Sequence, residues 1–432
     1  MGKDLKTKLI NRKIKKPNPL TMTFVSGVLG FLNKIYKVKF DYDYDPKSLK
    51  GKPTVLLASH SSRLEFIYMM HGFKRKDINM IVGYQNCFKK GLYRIFLSLA
   101  IIPKYLYQPD IACTMQMFKV LKRNGALGLF PEGIQSTSGS THPINPATAQ
   151  FIKRSKANVV VATSKGAYLA TNRYSKDRKK GPINVSYSLL FTPEQLTSLS
   201  ENEIYEAILQ KIKYNDFEFN KVARHKYVGK KPNAYGIDNI LYVCPDCKKE
   251  HSLHVDGDSI ICNHCGFKVR VNEYYDLVDA TSPSCPADID KWFKWQRNLV
   301  WKQIQDDSFE LTMNATLCDL KVDKLRKSPK DRNPLSVGKA TLTKNGLSFI
   351  GNLDGVSVNF EFEAKNLYSL TCSTKGYLEF YYDNEYYMLV PNDADQCLIK
   401  WTLASEEINT LYNQKWRLAL EDVYDYDKGE SL

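Results

Sequence analysis

The residues that could do chemistry in this 432-residue chain begin with His60, which ends the apolar run Val55-Leu56-Leu57-Ala58, and Glu65, five residues on. At that separation a carboxylate can fold back onto an imidazole, fix its tautomer and stabilise the imidazolium. That arrangement suits a general base that takes a proton from a hydroxyl. Roughly seventy residues on, Gly125 to Gly133 reads GALGLFPEG. There Leu127, Leu129 and Phe130 lead into a turn with one acid, Glu132, and with Gly133, small enough to let a ligand approach the backbone. By itself, a histidine followed by a glutamate is equally a solvated imidazole beside a helix-capping acid; the second acid-bearing turn argues for one shared site.

A separate cluster lies further along. Cys244-Pro-Asp-Cys247 and Cys262-Asn-His-Cys265 are two Cys-x-x-Cys knuckles fourteen residues apart, the spacing of a zinc ribbon. Four thiolates on facing turns make a tetrahedral cage suited to structural zinc and closed to substrate; iron in a rubredoxin-like site is the chemical alternative. His251, His254 and His264 are near, but the four cysteines already complete a site. The other six cysteines have no motif spacing, which fits a reducing compartment and free thiols.

The elements that must hold these residues follow from the pattern. Val55 to Ala58 is too short for a core helix and reads as a buried strand, with Ser61 or Ser62 expected to cap a helix over Leu64 to Phe73. Met80 to Val82 is a further strand, and Gly91 to Tyr107 a helix running into one. Met115 to Lys122 has helical spacing, with Met115, Met117 and Phe118 expected to pack. A helix is expected ahead of the strand Val159 to Ala162. This alternation predicts a mainly parallel α/β layer, in which ligands bind outside the carboxyl ends of the strands. Lys74 to Lys76 and Lys89 to Lys90 read as solvated faces, Ser136 to His142 as a polar loop, and Arg173 to Lys180 as a basic loop.

These residues resemble the glycerolipid acyltransferases, in particular the 1-acylglycerol-3-phosphate (lysophosphatidic acid) acyltransferases, over roughly residues 20 to 225. The family's first motif, His, four residues and Asp with Ser two after the His, stands here as His60, Ser62 and Glu65. Its third, an apolar residue then Pro-Glu-Gly, a small residue and Arg, stands as Phe130, Pro131, Glu132, Gly133, Ile134 and Gln135. The second corresponds to Ser98 to Lys104, and the fourth to Val159 to Ala162. Glu65 replaces Asp, Lys104 and Gln135 replace Arg, and the fourth motif lacks its proline. The resemblance implies acyl transfer from a thioester, acyl-CoA or acyl carrier protein, to the hydroxyl of a lysophospholipid. His60 and Glu65 would be catalytic, with Lys104, Phe130, Pro131, Glu132 and Gly133 on the acceptor. The alternative is a disabled acyltransferase-like protein that binds lipid or acts as a scaffold.

The net charge of +16 is unevenly spread. Residues 1–235 carry 40 Lys+Arg and 15 Asp+Glu, and the remainder 22 and 31, so the basic half is the acyltransferase-like one. Such a half attracts anionic lipid surfaces and phosphorylated or CoA-like substrates. The first sixteen residues hold seven basic side chains and one acid, followed by the apolar stretch Leu20 to Leu32. That stretch is too short for the ~20 residues of a bilayer crossing. It reads as a helix in the membrane interface, or as one packed on the protein's own core. The expected setting is peripheral, on the cytoplasmic face of a membrane. The acidic ribbon half argues against nucleic acid as a partner.

The domain reading is a membrane-interface segment at 1–40, an acyltransferase domain at 41–235, a small β zinc ribbon at 236–280, a helix and linker at 281–334, and a C-terminal α+β domain at 335–432. Ala287 to Ile304 reads as an amphipathic helix with Trp292, Trp295, Leu299 and Gln303 at helical spacing, and Lys327 to Pro334 as a loop. From Val337 to Val390, alternation and the turn pairs Asn345-Gly346, Asp354-Gly355 and Asp383-Asn384 predict antiparallel hairpins. One closing helix is expected over Asp395 to Leu420. Strands capped by a helix resemble a pleckstrin-homology or GRAM-like module.

Overall fold

The structure is a computed structural model and describes residue 9 and residues 12–320, 325, 331–353, 355–373, 376–393 and 397–424. Most of the basic first segment, residues 327–330 of the Lys327 to Pro334 loop, Asp354 and Asp395 lie outside the described residues, and Asn333 and Pro334 of that loop begin a strand. The chain forms two compact units, residues 1–172 with 180–225 and 322–328, and residues 173–179 with 226–321 and 329–432.

The first unit is built on a seven-stranded sheet. In chain order its strands are β1 (Val38–Tyr42), β2 (Thr54–Ala58), β3 (Ile78–Gly83), β4 (Ile102–Lys104), β5 (Ala126–Leu129), β6 (Asn158–Lys165) and β7 (Ile183–Phe191). They lie in the order β1-β7-β6-β2-β5-β3-β4. Every neighbouring pair is parallel except β6 with β7, so the sheet is mixed but mainly parallel. β2 is central and buried at all five positions, as an unbroken apolar strand covered on both faces should be. Its helices of eight or more described residues are α1 (Pro19–Ile35), α2 (Glu65–Gly72), α3 (Lys90–Ser98), α4 (Ile111–Lys122), α5 (Ala147–Ser155), α6 (Glu201–Ile212) and α7 (Asp216–Ala223).

Three local expectations change. No serine caps α2: its N-cap is Leu64, with no side-chain cap bond. Met115 is exposed, because only Cys113, Gln116, Met117, Val120 and Leu121 of α4 turn inward. Arg75, between two solvated lysines, is buried, and its guanidinium ties the carbonyls of Leu49, Lys52 and Asn124 to Asp77. A fork of five donors can close such a knot where a lysine cannot.

The second unit holds a four-stranded antiparallel ribbon, β8 (Leu253–Asp256), β9 (Ser259–Cys262), β10 (Lys268–Val271) and β11 (Leu277–Val278). Helix α8 (Ile289–Ile304) follows, then a seven-stranded antiparallel sheet. Its strands are β12 (Leu311–Asp319), β13 (Asn333–Thr343), β14 (Gly346–Leu353), β15 (Val356–Glu363), β16 (Thr371–Ser373), β17 (Tyr377–Tyr382) and β18 (Glu385–Pro391), in the order β15-β14-β13-β12-β18-β17-β16. Asn345-Gly346 turns β13 into β14. Asp383 and Asn384, both at positive φ, turn β17 into β18 as a two-residue hairpin requires. The closing helix is two helices, α9 (Leu398–Thr410) and α10 (Gln414–Glu421), with Asn413 capping the second.

The buried face of α8 also differs from expectation. Ile289, Trp292, Phe293, Gln296, Val300 and Ile304 turn inward, and Gln303 is exposed. Trp292 is buried as expected, but Trp295 and Leu299 misled the phase because Gln296 and Arg297 are buried with partners. Gln296 bonds the backbone of Ile240 and Tyr242, and Arg297 donates to Glu406 and Glu407 of α9. In the basic loop, Lys179 is buried, its ammonium held by Asp177 and the carbonyl of Pro232.

Candidate active site and zinc ribbon

Strand β2 delivers Ser59 and His60 to the carboxyl edge of the sheet, where two neighbouring strands fix them. The Ser59 amide donates to Ala162 O at 2.9 Å, and its hydroxyl accepts from the Ser164 amide at 3.1 Å, which ties the turn to β6. On the other side β5 is followed by Phe130, whose ring stacks on the imidazole with centroids 4.4 Å apart and planes at 21°. His60 Nδ1 contacts Glu65 Oε1. The other Glu65 oxygen accepts from the Ser62 amide at 2.9 Å and lies 3.4 Å from the Ser61 hydroxyl.

Glu65 is 2% exposed and the His60 side chain 17%. Burial raises the Glu65 pKa, against the pull of the His60 charge and of the hydrogen bonds from His60, Ser62 and Ser61. The extra methylene of glutamate is absorbed by the first turn of α2, which brings the carboxylate back over Ser62. With Nδ1 committed to Glu65, Nε2 has no hydrogen-bond partner among the described residues and is the nitrogen left for a substrate proton.

Glu132 faces inward. One of its oxygens accepts from the His60 main-chain N–H at 2.6 Å; the other accepts from the His142 N–H at 2.7 Å and from Tyr214 Oη at 3.3 Å. At 1% exposure its pKa is pushed up to about 8, burial outweighing the bonds from His142 and His60. The Ser136 N–H in turn donates to His60 O at 2.8 Å, so both backbone groups of the histidine are gripped by the PEG turn and the segment after it. The Ser136 to His142 loop is polar in composition but mostly buried for this reason. Tyr214, Ser136 and Ser164 carried no sequence signal, since their roles depend on contacts across 70 to 105 positions.

Pro131 is buried, and Gly133 sits at φ +75°, where a Cβ would be strained. The Tyr107 ring stands 3.6 Å from where that Cβ would be. Lys104 ends β4, on the same edge but three strands from β2, about 14 Å at usual strand spacing. Its ammonium lies 3.5 Å from Gln108 O. Thus His60, Glu65, Phe130 and Glu132 form one cluster with Gly133 in its turn, and Lys104 lies apart. Arg63, within the dyad turn, is a cation that motif reading overlooked; its Nε donates to Asn172 O at 2.9 Å.

The four cysteines of the second unit converge, their sulfurs all within 4.8 Å of one another. Cys244 and Cys265 are 3.7 Å apart and Cys247 and Cys262 3.8 Å. A tetrahedron with Zn–S bonds of about 2.3 Å has edges of about 3.8 Å, so the donor set fits zinc. The His264 N–H points at Cys262 Sγ at 3.4 Å, and Ser252 Oγ lies 3.2 Å from it. Trp292 Nε1 donates to Val243 O, beside the first ligand, at 3.0 Å. None of the three nearby histidines belongs to the cluster.

A zinc-ribbon family described as DNA directed RNA polymerase, 7 kDa subunit, matches residues 238–271. No curated protein matches the chain. Among solved structures, the 1-acyl-sn-glycerophosphate (LPA) acyltransferase PlsC of Thermotoga maritima aligns with 44% of this chain and 77% of its own, at 12% identity and a TM-score of 0.37. By its motif residues the first unit resembles the glycerolipid acyltransferases, and a zinc ribbon is added after it.

Proposed function

We propose that the first unit transfers a fatty acyl group from a thioester, acyl-CoA or acyl carrier protein, to the free hydroxyl of a lysophospholipid such as lysophosphatidic acid. The observation that carries this reading is the His60–Glu65 contact through Nδ1, beside a stacked Phe130, with Nε2 left for the acceptor. His60 takes the hydroxyl proton as the oxygen attacks the thioester carbonyl. The tetrahedral intermediate collapses with loss of the C–S bond, and the imidazolium returns the proton to the leaving thiolate. Glu65 orients the ring and stabilises its charge, and amide donors stabilise the oxyanion.

Glu132 acts here by holding the backbone of His60, while the acceptor lies over the turn formed by Phe130, Pro131 and Gly133. Lys104 and Arg63 are the cations offered to an acceptor phosphate. Wild type should acylate lysophosphatidic acid with a labelled thioester donor, and His60→Ala should not.

Among the described residues no helix is long and apolar enough to cross a membrane. Helix α1 supports adsorption instead: Leu20, Phe24, Val28, Phe31 and Ile35 form an exposed stripe, with Lys34 in its last turn. Each such side chain, seated in the acyl boundary, contributes on the order of 1 kcal/mol, enough together for reversible binding. The setting proposed is the cytoplasmic surface of an anionic membrane. The C-terminal antiparallel sheet with α9 supports a pleckstrin-homology- or GRAM-like docking module.

One observation favours a second reading, a lipid-binding protein without turnover: Gln135 stands where the third motif carries its cation. Vesicle binding with no turnover on any lysophospholipid would select it.

A further inference from the structure

Between α1 and the last turn of α2 lies a cavity of about 480 Å³, within the first unit. It stands apart from the dyad: His71, on its wall, and Glu65 are at opposite ends of α2, about 9 Å of helix rise apart. Gly27, Gly30, Phe31 and Phe40 give it an apolar floor; Lys34 and Lys37 supply charge at its rim. Neither ammonium forms an ion pair among the described residues, and no acid lines the cavity.

Two glycines inside one helix are destabilising relative to alanine, and here they make room. A Cβ on Gly30 would meet His71 Cε1 at 2.9 Å, and nothing stands within 4 Å of one on Gly27. The imidazole is already engaged with the Ser26 backbone. Asn33, 4% exposed, also lines the cavity. Its Nδ2 donates to Leu29 O at 2.8 Å and Ile67 O at 3.3 Å, while its Oδ1 is a buried acceptor with no partner among the described residues. A buried acceptor of this kind calls for a donor.

We infer that this cavity binds the headgroup of one anionic glycerophospholipid that carries a hydroxyl beyond its phosphate, as phosphatidylglycerol does. Lys34 and Lys37 hold the phosphate, the headgroup hydroxyl donates to Asn33 Oδ1, and the glycerol backbone rests on the apolar floor. The exposed stripe of Phe24, Phe31 and Ile35 on the same helix places the acyl chains in the bilayer, which favours a lipid over free phosphate as the source. The inference rests on the proposal that α1 lies in the membrane interface.

The test uses the full chain and phosphatidylcholine vesicles containing either phosphatidylglycerol or phosphatidylmethanol, lipids of equal charge that differ in the headgroup hydroxyl. Wild type is expected to bind the phosphatidylglycerol vesicles at least fivefold more tightly. Gly27→Leu, which fills the cavity without removing charge, and the double variant Lys34→Gln/Lys37→Gln should each abolish that preference. The charge-matched Lys50→Gln/Lys52→Gln should keep it.

Soluble dihexanoyl phosphatidylglycerol should compete and inorganic phosphate at the same concentration should not. Equal binding of the two lipids by wild type, a preference that survives in both cavity variants, or equal competition by inorganic phosphate would overturn the inference. The interface reading fails separately, if Leu20→Ser/Phe24→Ser binds every vesicle as wild type does.

Discussion

The main-chain N–H of His60 donates to the buried carboxylate of Glu132 at 2.6 Å, so the acid of one strand-end turn holds the backbone of the histidine on the other. Glu132→Ala would leave that amide, the His142 amide and the Tyr214 hydroxyl without their acceptor. At about 1–3 kcal/mol for each buried unsatisfied group, a loss of at least ~3 kcal/mol is expected in urea denaturation. Acyl transfer should fall mainly in kcat. A rise in KM alone would instead make Glu132 an acceptor ligand.

The same burial gives stability a pH dependence. With its folded pKa raised to about 8, Glu132 keeps a proton in the folded state that the unfolded chain releases near 4.5. Its contribution is therefore full below about pH 4.5 and is lost as pH rises through about 8. Glu132→Gln removes the titration, so the stability of wild type relative to this variant should decline between pH 5 and pH 9. Urea midpoints at three pH values measure it, and a constant difference contradicts it.

Glu65 touches Nδ1 only because its extra methylene lets it fold back over Ser62. Glu65→Gln keeps the size but not the charge that stabilises the imidazolium, and should lower kcat on the order of 10²-fold with KM little changed. Glu65→Asp, too short for this turn, should cost roughly tenfold by the same reasoning about base orientation. Steady-state kinetics on both variants decide; an aspartate variant as active as wild type would mean the spacing does not matter.

All five tryptophans, Trp292, Trp295, Trp301, Trp401 and Trp416, lie in the second unit, so their fluorescence reports that unit alone. Trp292 bonds the residue before Cys244 and packs edge-on to Phe267 at 5.9 Å. Purified protein should carry one zinc by metal analysis. A strong chelator should remove it with a change in tryptophan emission, because binding a structural zinc is coupled to folding. A metal-free protein with the same emission and stability would contradict the ribbon's structural role.

Arg297, 1% exposed, is held by Glu406 at 2.8 Å and Glu407 at 2.5 Å. Arg297→Ala leaves two buried carboxylates without their cation and should destabilise the second unit by ~3–5 kcal/mol. Denaturation followed by tryptophan emission checks it. A loss under ~1 kcal/mol would mean that Arg417, 3.6 Å from Glu407, suffices.

What could be read from the sequence was local. The run from Val55 to Ala58 announced a buried strand, the cysteine spacing announced the cluster, and Asn345-Gly346 and Asp383-Asn384 announced hairpins, because each signal lies within a few residues. What escaped was set by distant contacts. Glu132 was assigned to the acceptor, and its inward bonds were not legible because its donors come from residues 60, 142 and 214. Arg75 looked wet, and Lys179 read only as part of a basic loop, because the carbonyls that bury them lie far along the chain. The phase of α8 was misjudged because polar Gln296 and Arg297 are satisfied inside. Lys104 stands where the second motif carries its Arg, yet strand order sets it three positions from β2.

The most direct measurement is transfer of a labelled acyl group from acyl-CoA or acyl carrier protein to lysophosphatidic acid, with wild type and His60→Ala side by side on vesicles. The account predicts turnover by wild type and a loss of at least 10²-fold in the variant. Equal rates in the two proteins, or no turnover by zinc-loaded, vesicle-bound wild type, would contradict it.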